Sequence, residues 1–188
     1  MAREFWKAAN LLCPVPAVIL TCQDENKKVN AMTAAWAGTI CSDPVMVSVS
    51  IRPERYSNGL IRASGEFAMN LTNRELAYAA DFCGVKSGRD TDKLKILGLK
   101  TTPSRTIETP ALDKSPVSLE CRVVDIRPLG SHDLFIAQVT GVAVDDRYLD
   151  EKGRLDLQKA DLIAYSHGEY FALGDKLGKF GFSVRKRR

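Results

Sequence analysis

Long hydrophobic runs are missing from this 188-residue chain; no stretch reaches the roughly 18 apolar residues that a membrane span needs. The opening Met-Ala-Arg-Glu-Phe-Trp-Lys has neither the unbroken apolar stretch nor the small-residue cleavage site of an export signal, so a cytoplasmic protein is expected. Histidine is scarce, with only His132 and His167, which excludes a histidine-rich metal centre. The five cysteines (Cys13, Cys22, Cys41, Cys83, Cys121) are odd in number, widely spaced and free of any Cys-x-x-Cys pair. That pattern argues against zinc, iron–sulfur and disulfide frameworks and fits free thiols in a reducing compartment.

Charge of one sign is also lacking. The 27 basic residues exceed the 23 acidic ones by 4, and that excess is the terminal run Arg185, Lys186, Arg187 and Arg188. The body is neutral, so no basic face for nucleic acid is implied and the tail reads as a solvated end. Nucleotide signatures fail as well. Gly174-Asp-Lys-Leu-Gly178-Lys179-Phe180 is one residue short of a phosphate loop and ends in Phe where a hydroxyl must reach Mg²⁺. No Gly-x-Gly-x-x-Gly follows a strand and no Gly-x-Ser-x-Gly elbow exists.

What is present is an ordinary globular composition, 45% hydrophobic and 27% charged. A chain of this size forms one domain of about 9,000 Å² folded surface, burying about 70% of what it exposes when extended. Strands are expected over Pro16 to Gln23, Lys28 to Thr33 and Glu66 to Leu71. Longer ones are expected over Val117 to Ile126 and Leu134 to Val144, and short ones over Leu162–Tyr165 and Tyr170–Leu173. Val45 to Arg52 alternates: Val45, Val47, Val49 and Ile51 face one way, Met46, Ser48, Ser50 and Arg52 the other. Ser57 is placed to cap a helix from Asn58 to Ala63. Thr72-Asn73-Arg74-Glu75 fits a capping box for a helix stopping at Gly84, and Asp90 or Thr91 can start another ending at Gly98. Pro103, Pro110 and Pro116 mark a long irregular connection. Strands outnumber helices and are often joined by turns too short for a crossover, which fits a mainly β fold with short helices: a mostly antiparallel sheet closed into a barrel.

Three clusters could carry chemistry. Ser48, Ser50 and Arg52 share a strand face and Ser57 opens a helix five residues on, a combination suited to a phosphate dianion. The run from Cys83 to Lys93 holds two glycines, the cations Lys86, Arg89 and Lys93, and the hydroxyls of Ser87 and Thr91. Around Asn30-Ala31-Met32-Thr33-Ala34-Ala35-Trp36, small residues permit close backbone approach to a flat ligand while Asn30 and Thr33 offer donors and acceptors. Taken singly, each has a plainer alternative: a solvated strand face, a surface loop, a core Trp beside a turn.

Taken in order, the clusters belong to a longer pattern. It runs Asn-x-Met-Thr-x-x-Trp at 30–36, Asp43-Pro44 before the alternating strand, Arg52-x-x-x-x-Ser57-x-x-Leu60-Ile61, Glu66-Phe67-x-x-Asn70, Ser87-Gly88-Arg89-Asp90-x-Asp92-Lys93 and His132-x-Leu134-Phe135. This set resembles the flavin reductase-like family of FMN-binding split barrels, in the style of flavoredoxin, over nearly the whole chain. The resemblance implies a single domain over 1–188, a six-stranded antiparallel split barrel, and a homodimer with FMN near the subunit interface. It implies that Asn30, Met32, Thr33, Ala34 and Trp36 lie along the flavin ring and ribityl chain, and that Cys41 contacts the ring. Ser48, Ser50, Arg52 and Ser57 would then hold ribityl and phosphate oxygens. Lys86, Ser87 and Lys93 would approach the phosphate or the polar ring edge, and His132 would sit near the flavin. The plainer reading of His132 is a satisfied turn residue. No side chain needs to act as nucleophile or general acid, because the flavin carries the chemistry; His132 is the one catalytic candidate. Two functions follow from the resemblance. One is an NAD(P)H:flavin oxidoreductase that passes electrons on. The other is a flavoredoxin-type electron carrier with tightly bound FMN that does not react with NAD(P)H and serves a redox partner protein. Neither requires nucleic acid or a membrane, and Lys86, Arg89 and the basic tail could serve a dinucleotide or an acidic partner.

Overall fold

The structure is a computed structural model that describes residues 2–184; the basic tail at 185–188 lies outside the described residues. Strands β1 (Val15–Pro16), β2 (Val18–Gln23), β3 (Val29–Ala34), β4 (Ala37–Ser42) and β5 (Val45–Ile51) come first. Helix α1 (Tyr56–Ser64), strand β6 (Glu66–Leu71) and helices α2 (Ala77–Val85) and α3 (Lys93–Leu97) form the middle. The short strands β7 (Thr101–Thr102) and β8 (Ala111–Leu112) lie in the proline-marked connection. The long strands β9 (Val117–Pro128) and β10 (Asp133–Val144) follow, then the hairpin β11 (Ile163–Ser166) and β12 (Glu169–Ala172).

Seven strands form one sheet in the order β3-β2-β6-β9-β10-β5-β4, every pairing antiparallel. Its two edge strands, β3 and β4, are separated in the chain only by Ala35 and Trp36. So short a link reaches only about 10 Å, so the sheet must curl until its edges meet. Just before β4 the Ser50 N–H donates to the Trp36 carbonyl at 2.8 Å, extending the β4–β5 ladder to the bend. The sheet has seven strands where six were expected, because the chain breaks at Ala35 and Trp36 into β3 and β4; the antiparallel split-barrel class is as expected.

Period-2 alternation decides what fills it. Val47, Val49 and Ile51 point inward with Val18, Leu20, Cys22, Met32, Phe67, Met69, Cys121 and Phe135 into one apolar core. Phe67 and Phe135 are completely buried, each worth about 2–3 kcal/mol of transfer free energy. The opposite faces of β2 and β3 bury Ile19 and Ala31 under α2, against Leu76, Ala79, Ala80 and Cys83. β1, β11 and β12 make a separate three-stranded sheet.

Three local expectations are corrected. Ser57 does not cap α1: the helix starts two residues earlier, at Tyr56, with Arg55 at its N-cap and no side-chain cap, and the Ser57 hydroxyl is engaged elsewhere. Thr72 does not cap its helix either. Its hydroxyl donates to the Ala17 carbonyl, and Asn73 accepts from the Leu76 N–H of a 3-10 turn that leads into α2. Asp92, rather than Asp90 or Thr91, caps α3, which ends as expected at Gly98 in the left-handed conformation.

Candidate functional site

Where β3 turns into β4, a cleft opens between the barrel and the segments packed on it. It has two joined parts that share Met32, Arg52 and Arg55. The first, about 340 Å³, is a slot walled by Met32, Thr33, Ala34, Ala35 and Trp36 from the bend between β3 and β4, by Ser50 of β5 and by Arg52 just beyond it. His132, Asp81 of α2, and Tyr165 and Tyr170 of the β11–β12 hairpin complete it. The second, about 300 Å³, is lined by Asn30, Ser57, Lys86, Ser87, Gly88, Arg89 and Lys93, with Glu54, Arg55 and Tyr56 opposite.

The second part is held by a network that the local sequence does not reveal. Asn30 Nδ2 donates to Ser57 Oγ at 2.7 Å, across 27 residues of chain. Both are buried, as is Lys93, only 3% exposed, whose ammonium donates to the Lys86 carbonyl at 3.1 Å and the Cys83 carbonyl at 3.5 Å. No carboxylate lies within 4 Å of Lys93 among the described residues. Desolvation accordingly pulls its pKa below the ordinary lysine value, with the Cys83 and Cys22 thiols opposing and Arg55 assisting. Burial pushes the Cys22 thiol behind Asn30 up to about 11, so it is inert at neutral pH. Gly88 is required: a Cβ there would stand 2.0 Å from Asn30 Oδ1 and 3.0 Å from the Tyr56 ring.

Helix α1 presents Arg55 and Ser57 to this part, and its aim is fixed from behind. Asn58 Nδ2 donates to Asp133 Oδ2 at 2.8 Å and to the Ile51 carbonyl at 3.2 Å, and Arg62 pairs with the same Asp133 carboxylate at 2.9 Å. Arg62 first and Asn58 second hold the Asp133 carboxyl below the usual carboxylate range. The uncapped N-terminus of α1 adds the positive end of its dipole.

Most of the site residues expected from sequence come together here. Met32, Thr33, Ala34, Trp36, Ser50, Arg52 and His132 line the slot; Asn30, Ser57, Lys86, Ser87 and Lys93 line the cation-rich part. The Thr33 hydroxyl is already committed, donating to the Ala80 carbonyl of α2, so only its backbone and methyl face the slot. Ser48 lies one pleat away, in a shallow groove with Trp36, Ser50, Asn10 and Leu12. Cys41 is not brought to the cleft: β4 carries it five residues beyond Trp36, where its thiol donates to the Asp43 carbonyl. His132 sits beside the slot with Nδ1 2.9 Å from Ser131 Oγ. Arg55, Asp81, Tyr165 and Tyr170 were missed, since only the distant pairing of β11 with β1 brings the hairpin tyrosines over the slot.

The slot thus adjoins a pocket that gathers the buried Lys93 with the cations Arg52, Arg55, Lys86 and Arg89. The chain belongs to the flavin reductase-like family: the model of the flavin reductase like domain matches residues 11–174. Its fold superposes on the flavoredoxin of Desulfovibrio vulgaris (Miyazaki F) with a TM-score of 0.91 and 29% identity, covering 98% of this chain and 100% of that one. An uncharacterized protein of Pyrococcus abyssi is 30% identical over 150 residues, 80% of this chain and 86% of that protein. An NADPH-flavin oxidoreductase of Streptomyces viridifaciens is 29% identical over 143 residues, 75% and 68% respectively.

Proposed function

We propose that this chain is an FMN-dependent oxidoreductase that takes reducing equivalents from NAD(P)H and passes them to an acceptor. One observation carries the reading: the Lys93 ammonium is buried beside the cleft with carbonyls but no carboxylate to compensate it. A buried cation without an anion is costly, and a phosphate dianion in the adjoining space supplies the missing partner. Lys93, Lys86, Arg52 and Arg55 set the charge there, and Ser57, Ser87 and the first turn of α1 supply donors. In the slot, the backbone of Met32 to Trp36 and the Ser50 hydroxyl address the polar edges of a ring, while Trp36, Tyr165 and Tyr170 exclude water from its faces. His132 lines the slot and is the side chain proposed to stand beside the flavin. FMN, when bound, supplies a hydride-accepting ring and one- or two-electron release.

A second reading is favoured by the likeness to flavoredoxin across the full chain: an electron carrier that retains FMN and exchanges electrons only with a partner protein. Anaerobic mixing of the FMN-loaded protein with NADH or NADPH separates the two. Rapid bleaching of the flavin band is expected for the oxidoreductase, whereas no bleaching with either nucleotide leaves the carrier. A protein that isolates colourless and does not quench FMN fluorescence removes both.

The active unit is proposed to be a homodimer. A compact monomer of 20.7 kDa exposes about 8,900 Å², yet this chain exposes 12,426 Å². The excess is concentrated in extended terminal segments that present Phe5, Trp6, Leu12, Leu177 and Phe180 to solvent. Among the described residues no helix is long and apolar enough to cross a membrane. Sedimentation at the mass of one chain would overturn the dimer.

A further inference from the structure

One charge in the slot has the wrong sign for an anionic cofactor. Asp81 is the only carboxylate among the residues that line it, in company with Arg52, Arg55 and His132. The helix that carries it fixes its place. The Thr33 hydroxyl donates to the carbonyl of Ala80, the residue before it in α2. Gly84, one turn on, lies so close to β3 that a Cβ there would meet Thr33 Cβ at 3.5 Å. Helix α2 is thereby held against the slot wall, with Asp81 at the rim. Asp81 is exposed and forms no ion pair among the described residues. Its aromatic neighbours come from the hairpin, where Tyr165 and Tyr170 lie edge to face with ring centroids 5.4 Å apart. Burial first and the Asp81 charge second raise the Tyr170 pKa, so carboxylate and phenol are within electrostatic reach of each other. A free carboxylate beside two tyrosine rings repels an anion and attracts a flat cation, by its charge and by the ring faces.

We propose that Asp81, with Tyr165 and Tyr170, is the part of the slot that recognises the pyridinium form of the nicotinamide and thereby favours hydride donation by NAD(P)H. The inference rests on the oxidoreductase reading and adds to it the residue that treats the two charge states of the donor differently. In the transfer, the C4–H bond of the dihydronicotinamide breaks and its hydrogen leaves with both bonding electrons for the flavin. The donor is oxidised by two electrons, the flavin is reduced by two, and the nicotinamide ring left behind carries a positive charge. Asp81 thus meets a neutral ring before the transfer and a growing cation during it. A fixed charge that interacts more strongly with the transition state than with the ground state speeds the step. Because Asp81 stands in solvent, its effect is that of an exposed ion pair, about fivefold.

The test uses 1-methylnicotinamide, a permanent pyridinium cation, and nicotinamide, its neutral counterpart. Each is titrated into the FMN-loaded protein at low ionic strength, where exposed charges are least screened, and read from the shift of the flavin absorbance band. The wild type is expected to bind the cation about fivefold more tightly than the neutral ring. Asp81→Asn keeps the shape, removes the charge and is expected to abolish the preference, whereas Asp81→Glu keeps most of it. Asp81 is exposed, so both variants are expected to fold, which far-UV circular dichroism checks, and to hold FMN with nearly unchanged affinity. In stopped-flow reduction by NADPH, Asp81→Asn should lower the limiting rate constant about fivefold while the half-saturating concentration stays nearly constant. A wild type that binds both probes equally overturns the proposal, as does an Asp81→Asn protein that keeps the preference. Loss of the preference in Asp81→Glu as well also overturns it, because charge would then not be what the slot reads. Wild-type protein that holds FMN but is bleached by neither nucleotide sinks the oxidoreductase reading instead, and protein that binds no FMN sinks both readings of the cleft.

Discussion

At the cation-rich end of the cleft the floor is made of side chains almost wholly removed from water: Asn30, Ser57 and Lys93 are 7%, 1% and 3% exposed. At the slot end the polar groups stand in solvent; Arg52 is exposed, His132 is half-buried and Trp36 keeps 36% of its surface. The buried end is fixed by hydrogen bonds of long sequence separation, Asn30 to Ser57 and Asn58 to Asp133. The open end is walled by strand backbone, α2 and a hairpin that reaches the barrel through the two-residue strand β1. Preorganised charge in a low-dielectric setting binds strongly because little is reordered on binding. A slot bordered by exposed Arg52 and Trp36 leaves a side from which a second reactant can approach. On the proposed FMN reading, the first end supplies affinity and the second admits the reaction partner.

The largest effect expected from that division is at Lys93. Lys93→Met keeps the length of the stem and removes the charge. FMN affinity should fall by about a hundredfold, the scale of a charge-assisted contact in a dry site. The FMN-free protein should lose no stability, because replacing an uncompensated buried charge by an apolar isostere is neutral or stabilising. Titration of FMN fluorescence and a thermal melt of the same preparation check both halves. A melt lowered along with intact affinity would mean that the ammonium serves the loop carbonyls alone.

Alkaline titration sharpens the same point with a smaller effect. Burial depresses the Lys93 pKa in the FMN-free protein, so its proton is lost at a lower pH than from an unfolded lysine. The unfolded chain then binds more protons in that window, so Lys93's contribution to folding stability rises with pH there. Phosphate binding needs the charged form, so affinity should be full below the depressed pKa and fall by about tenfold per unit above it. The decline should begin below the ordinary lysine range and vanish in Lys93→Met. An unchanged decline in that variant would place the titrating group elsewhere, with Lys86 the next cation along the wall.

The two ends also differ in how far they could be read from the sequence. The β5 alternation was legible because a half-buried strand writes burial with period 2, and Val47, Val49 and Ile51 do face the core. Strand β4 was not foreseen: it lies at the open seam with Gly38, Thr39 and Ile40 exposed, so nothing imposes an alternation on it. Lys93 could be nominated only through the ordered pattern around it, since a lysine in a polar loop looks solvated, and its neighbours Cys22 and Cys83 come from separate elements. Ser57 looked like a helix cap because capping is local chemistry; its partner Asn30 is fixed by barrel closure, which no window of sequence contains. The slot tyrosines were invisible for the same reason.

Trp36 gives the smallest expected effect and tests the open end directly. Its carbonyl accepts from the Ser50 N–H just before β4, a contact that Trp36→Ala retains because it belongs to the backbone. The lost indole removes one wall of the slot, but that wall is already about a third in water, so the burial forfeited on ligand binding is modest. At about 25 cal/mol per Å² of apolar surface, the loss corresponds to about fivefold in FMN affinity. Greater access of water to the ring should instead appear as faster reoxidation of the reduced protein by oxygen, measured by stopped flow. An affinity loss exceeding that of Lys93→Met would reverse the assignment of the two ends, making ring stacking rather than buried charge the source of binding.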